Sequence, residues 1–240
     1  MPVLAFDIYG TILDTSSITS GIETHLGLSS EKAGQLSQLW RRYQLEYTWR
    51  LNSMGLYEPF DVVTRSSLKH AAAESKVSLD DKAISALMET YSRLLPFDDA
   101  VPAFRTLTAL PNVEVAMFSN GTEEMVATAL QAALPEELLP APLHIVGAVK
   151  RYKPAREVYE MLLQKVSKHP GATERAADVW LVSGNPFDVT GARAAGLGAI
   201  WVDRGGSGWT DHIPLPSEGL GPLRVVRDLG EIAALVGDLP

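Results

Sequence analysis

Side chains able to do chemistry recur at the ends of apolar runs in this sequence: Asp7 with Thr11, Ser119 with Asn120, Lys153, and then Ser183, Asn185 and Asp188. Asp7 is the most informative. It closes the apolar run Val3-Leu4-Ala5-Phe6, the signature of a strand buried on both faces of a parallel sheet, and it precedes a break at Gly10. Burying a carboxylate there costs roughly several kcal/mol unless something pairs with it, so Asp7 is either held by a salt bridge or kept for chemistry. Taken singly, the other signals are ordinary. Asn120-Gly121 is what a plain turn looks like, Lys153 before Pro154 suits a solvated loop, and Asp188 suits a helix cap. Together they carry more. Two acids, one lysine and several small hydroxyls or amides at one sheet edge make a charge-balanced reaction centre, placed where open α/β sheets bind their ligands.

The elements that must position these residues alternate. Apolar strands are expected at Val3–Phe6, Val113–Phe118, His144–Val149, Val179–Val182 and Ala199–Val202. Helices are expected at Val101–Leu110, Thr122–Ala133, from Pro154 to about Lys165, through Ala195, and near Leu229–Val236. The stretches 167–177 and 204–222 read as loops. This alternation predicts a parallel, doubly wound sheet. Between Asp14 and Pro96 the pattern is helical throughout. One helix runs from Ser29, Ser30 and Glu31 to Gly55, with Leu36, Trp40, Tyr43, Tyr47, Leu51 and Met54 forming an apolar stripe and Arg41 beside it. A second spans Phe60–Glu74, and a third begins at Ser78, where Ser78 and Asp81 match a capping box. The block over 16–96 is thus expected as a helical domain inserted into an α/β core of 1–15 and 97–240.

Composition limits the function classes. With 240 residues, 46% of them hydrophobic, the chain suits one large α/β domain or a core with a smaller insert. The absence of cysteine excludes disulfides, thiolate metal sites and a thiol nucleophile. A formal net charge of -8 argues against nucleic acid and anionic membrane as partners, so an anionic substrate requires positive charge gathered in the pocket. No apolar run is long enough to span a bilayer, and Met1-Pro2 leads directly into the first strand, so a cytoplasmic protein is expected.

Asp7-Ile8-Tyr9-Gly10-Thr11-Ile12-Leu13-Asp14, Ser119-Asn120-Gly121, Lys153-Pro154 and the stretch from Ser183 to Asp188 resemble the four motifs of the haloacid dehalogenase superfamily. Over nearly its whole length the chain is similar to the L-2-haloacid dehalogenases of type II. The most specific features are Tyr9, Trp40-Arg41 with Gln44-Leu45-Glu46-Tyr47-Thr48-Trp49, Tyr159, and the Ser-x-Asn-x-x-Asp pattern. The resemblance implies a Rossmann-like core with a helical cap inserted after the first strand, in agreement with the independent reading. It also implies a homodimer and no metal or other cofactor. Phosphatases of the superfamily use Asp-x-Asp and a further carboxylate four residues before the last aspartate. Here those positions hold Tyr9, too weak an acid near neutral pH, and Gly184, so acids that magnesium would want are missing.

What the resemblance implies mechanistically is displacement of halide from the carbon next to a carboxylate. Asp7 is the nucleophile that forms an ester, Lys153 keeps it ionised, and Asp188 orients Lys153. Arg41, Asn120 and Phe187 receive the halide; Ser119 and backbone N–H groups hold the substrate carboxylate; Thr11 and Tyr9 shape the first loop. Ser183, Asn185 and Asp188, supported by Tyr159, position the water that hydrolyses the ester. None of the five histidines falls in a motif. The chain departs from the usual pattern at Gly184 and Pro186, where serine and a small residue are commoner. A magnesium-dependent phosphatase and a non-catalytic binding module are the alternatives.

Overall fold

The computed structural model describes residues 1–139, 142–166, 176, 178–214 and 219–239. The loop expected over 167–177 therefore lies outside the described residues, apart from Ala176. Six parallel strands form one sheet in the order β3-β2-β1-β4-β5-β6. They are β1 (Val3–Phe6), β2 (Glu114–Ser119), β3 (Leu143–Ile145), β4 (Val179–Ser183), β5 (Gly198–Val202) and β6 (Arg224–Val226). Every residue of β1, β4 and β5 is buried, as expected of central strands covered by helices on both faces. Strand order reverses direction between β1 and β4, whose register pairs Phe6 with Val182. The crevice beyond the carboxyl ends of these two strands is the topological switch point, and Asp7 and Ser183 stand at its mouth.

Two strand expectations are corrected. β3 stops at Ile145, because Val146–Val149 turns into a 3-10 helix. β6 is an edge strand with two exposed residues, so it lacks the apolar run that marked the others.

The helices follow the sequence closely. In chain order they are α1 (Ile18–Leu26), α2 (Ser30–Met54), α3 (Phe60–Glu74), α4 (Asp81–Tyr91), α5 (Ala100–Thr108), α6 (Glu123–Ala133), α7 (Arg156–Val166), α8 (Pro186–Ala194) and α9 (Ile232–Leu235). α2 begins at the Ser29 cap and ends at Gly55, which adopts φ 68, a left-handed conformation suited to glycine. α4 begins differently from expectation. Its cap is Asp80, whose carboxylate accepts the Ala83 amide at 2.7 Å, rather than Ser78. The apolar stripe of α2 is buried at Leu36, Trp40 and Tyr43, but Met54 at its far end is 60% exposed. Helices α1 to α4 lie in sequence between β1 and α5. The two chain segments joining them to the sheet run side by side, with Asp14 N donating to Leu95 O at 2.8 Å and Phe97 N to Ile12 O at 2.9 Å.

Candidate active site

Asp7 follows β1 and is 6% exposed. Its backbone N–H continues the ladder to Val182 O at 2.9 Å, which fixes the direction of the side chain. The next residues turn sharply: three successive amides, of Thr11, Ile12 and Leu13, converge on Ile8 O, and Gly10 takes φ +88. That turn returns the Thr11 hydroxyl to the carboxylate. Asp7 Oδ2 accepts from Thr11 Oγ1 at 2.8 Å, Asn185 Nδ2 at 2.7 Å and Ser183 Oγ at 3.3 Å. Oδ1 accepts from Lys153 Nζ at 3.0 Å.

Lys153 is buried, and its three N–H donors are all used: on Asp7 Oδ1, on Asp188 Oδ2 at 2.8 Å and on Phe118 O at 2.8 Å. Burial alone would depress this ammonium. The charges of Asp188 and Asp7 outweigh that effect and raise its pKa above the ordinary value. Asp188, in the first turn of α8, is fully buried, with Tyr159 O–H donating to its Oδ1 at 2.7 Å. Burial pushes its carboxyl up to about 6, against the lowering effect of Lys153. The Tyr159 phenol is likewise raised well above its ordinary value by burial and then by Asp188.

Ser119 ends β2, and its Oγ accepts the Gly121 amide at 3.0 Å. Asn120 Oδ1 accepts the Lys153 amide at 2.9 Å, which ties the second strand's loop to the lysine. Arg41 reaches in from α2, with Nη2 donating to Tyr9 O at 3.2 Å and extending to Asn185 Oδ1 at 3.5 Å. Tyr9 packs its ring between Phe60 and Tyr91, with centroids 5.8 and 5.7 Å away. Burial raises the Tyr9 phenol far above its ordinary value, so it is no general acid. Phe187 meets Trp49 of α2 edge-on at 5.5 Å.

The structure thus brings Asp7, Thr11, Lys153, Ser183, Asn185, Asp188 and Tyr159 into one hydrogen-bonded cluster, with Arg41, Tyr9 and Asn120 joined to it. Tyr47, part of the α2 stripe, pairs with His70 Nδ1 at 2.9 Å and lines an outer groove with Leu51, Met54 and Val62. Sequence reading gave no role to Asn52, Tyr91 or Arg204. Asn52 clasps the backbone of Tyr152, donating to its carbonyl at 2.7 Å and accepting from its N–H at 2.9 Å. Arg204 forks onto Asp99 at 3.0 Å through both nitrogens and donates to Thr11 O at 2.8 Å. Among the described residues no group of three or more His, Asp or Glu side chains is placed to hold a metal. None of their helices is long and apolar enough to cross a membrane.

Comparison with known proteins agrees with this geometry. Residues 1–196 match the family model described as haloacid dehalogenase-like hydrolase. The chain belongs to that family. Among curated relatives, it is 32% identical to the (S)-2-haloacid dehalogenase of Pseudomonas sp. strain YL over 232 residues, 96% of this chain and 95% of that one. Haloacetate dehalogenase H-2 of Moraxella sp. strain B is also 32% identical, over 203 residues covering 85% of this chain and 86% of the relative. Among solved structures, the L-2-haloacid dehalogenase from Xanthobacter autotrophicus with chloropropionic acid covalently bound superposes with a TM-score of 0.82 at 25% identity, covering 100% of both chains. Like its family, this chain is a hydrolase with an α/β core.

Proposed function

We propose that this haloacid dehalogenase-like hydrolase converts short-chain L-2-haloacids to D-2-hydroxyacids through an ester on Asp7, without a metal or other cofactor. The observation that carries the reading is the unequal dress of the Asp7 carboxylate: one donor on Oδ1, three on Oδ2. Oδ1 keeps lone pairs for attack on C2 of the substrate. As the C2–O bond forms, the carbon–halogen bond breaks and halide departs with its electron pair. Backside displacement inverts C2. Oδ2 then becomes the carbonyl oxygen of the ester, and Thr11, Ser183 and Asn185 are already aimed at the charge that develops there when water adds.

Water attacks the Asp7 carboxyl carbon rather than C2. Collapse breaks the bond between that carbon and Oδ1, which leaves as the hydroxyl of the product, and C2 keeps its inverted configuration. Ser183, Asn185 and Asp188 position and activate the water, and Tyr159 holds Asp188. Ser119 Oγ, which accepts the Gly121 amide, turns its own proton toward the substrate carboxylate. Asn120, whose Oδ1 is used by Lys153, offers Nδ2 to the halide together with Arg41 and Phe187. The helical block 16–96 serves as the cap over a core of 1–15 and 97–240. The named activities of the relatives support the substrate class, and Tyr9 in place of a second acid argues against a phosphatase. At Gly184 a side chain would also meet the Gly10 carbonyl, leaving no room for a magnesium carboxylate.

A cytoplasmic homodimer belongs to the same reading. Exposed Met54, Leu56 and Val62 on the cap's outer surface are compatible with a self-association face, which light scattering would test. The catalytic reading is tested by halide release from separate L and D enantiomers of 2-chloropropionate with a chelator present. A single turnover in heavy-oxygen water, with enzyme in excess, is expected to put the label into the peptide carrying Asp7. Label in the product instead would mean direct attack of water on C2 and would overturn the ester.

A further inference from the structure

Arg41 is held from behind. Its Nη1 donates to Gln44 Oε1 at 2.6 Å, while Nη2 points at the core. Gln44 lies one turn along α2, and its side chain is fully buried. The orientation of its amide follows from the groups at its other end. Thr64 Oγ1 gives its single proton to Phe60 O at 2.7 Å, so it can only accept from Gln44 Nε2, also at 2.7 Å. Oε1 is therefore the end turned to Arg41. Tyr91 O–H donates to that same oxygen at 3.1 Å. Burial raises the Tyr91 phenol above its ordinary value, which keeps it a donor. Side chains of α2, α3 and α4 thus converge on one amide, and every polar atom of that amide is used.

We propose that Gln44 is the positioning residue for Arg41: a neutral, buried acceptor that fixes the guanidinium over the Asp7 loop without cancelling its charge. The inference rests on Arg41 being the cation that receives the halide. The residue type matters on both sides. A carboxylate at position 44 would grip the guanidinium as well but would neutralise it, leaving little attraction for a departing anion. An apolar side chain of equal length would free Arg41 among its rotamers, so the cation would no longer stand where negative charge develops. Gln44 touches neither substrate nor reacting atoms. Its contribution passes entirely through Arg41.

The test compares wild type with Gln44→Met, Tyr91→Phe and Arg41→Lys. Enzyme in excess is mixed with L-2-chloropropionate or L-2-bromopropionate, and quenched-flow halide release reads the displacement step alone. Bromide is the better leaving group and needs less help. Gln44→Met is therefore expected to slow the chloride reaction by up to about 10²-fold and the bromide reaction less, raising the bromide-to-chloride ratio several-fold. Added chloride should inhibit this variant more weakly. Tyr91→Phe, which keeps the ring contacts to Tyr9 and Trp40, should move the ratio the same way by a smaller factor, and it keeps the proposal testable if Gln44→Met folds poorly. Wild-type ratios in Gln44→Met and Tyr91→Phe, with a raised ratio in Arg41→Lys, would overturn the proposal and leave Gln44 as cap packing. An unchanged ratio in Arg41→Lys would instead overturn the halide reading of Arg41 itself.

Discussion

The hydroxyl of Thr11 accepts the Gly184 amide at 2.9 Å while giving its own proton to Asp7 Oδ2 at 2.8 Å. One side chain therefore locks the loop after β1 to the loop after β4 and aims the carboxylate between them. The two loops approach so closely that a Cβ at Gly184 would stand 2.5 Å from the Gly10 carbonyl oxygen. That is the physical reason for glycine at this position.

Gly184→Ser should therefore be destabilising here. Forcing the loops apart is expected to cost about 1–3 kcal/mol and to lengthen the Thr11 to Asp7 bond. Urea unfolding and halide release read the two effects. A variant as stable and as active as wild type would show that the loops separate without strain.

Asp7→Asn should reduce turnover to background while leaving the fold intact. An amide is isosteric, so Thr11, Ser183 and Asn185 lose little packing, but a neutral nitrogen or oxygen cannot displace halide. Halide release beside a far-ultraviolet circular dichroism spectrum checks both halves. Normal activity in this variant would sink covalent catalysis.

Activity should fall on the acid side near the raised pKa of Asp188, about 6. Below it the neutral carboxyl no longer balances Lys153 or helps the attacking water, and the rate should drop roughly tenfold per pH unit. Stability responds in the opposite sense. The folded state binds this proton more tightly than the unfolded chain does, so the contribution of Asp188 to stability is fully present below its unfolded pKa and is lost as pH rises through about 6. A kcat profile with parallel urea midpoints tests this, and an acid limb that persists unchanged in Asp188→Asn would assign it to another group.

Asn52→Leu should loosen the helical block from the sheet. It leaves the N–H and carbonyl of Tyr152, directly before Lys153, without their partners, and unpaired backbone groups of this kind cost about 1–3 kcal/mol. A lower urea midpoint together with a higher KM for the haloacid is expected. An unchanged midpoint would show that water replaces the clasp.

Much of the site was legible in the sequence because its carriers are local signals. An apolar run ending in a polar residue marks a central strand and its carboxyl end, and the parallel order of such strands puts all those ends on one edge. Asp7, Ser119 and Ser183 could be placed together on that basis, whereas Lys153 enters from beyond the 3-10 helix that follows β3 and Asp188 from the first turn of α8. Resemblance was needed for Arg41, since a helical arginine beside an apolar stripe looks like any surface arginine. β6 escaped because an exposed edge strand lacks the apolar pattern, and the true end of β3 escaped because the 3-10 turn Val146–Val149 continues the apolar run of the strand.

Sequence alone determined the strand ends at Asp7, Ser119 and Ser183, the helical block between Asp14 and Pro96, and the caps at Ser29 and Gly55, since all of these depend on neighbours within a few positions. Tertiary structure decided which oxygen of Asp7 receives three donors, that Tyr47 pairs with His70, and that Gln44, Asn52 and Arg204 hold the site from outside it. These bonds join groups as much as 193 residues apart. Their geometry depends on how sheet and helices pack, and no local pattern of side chains encodes it.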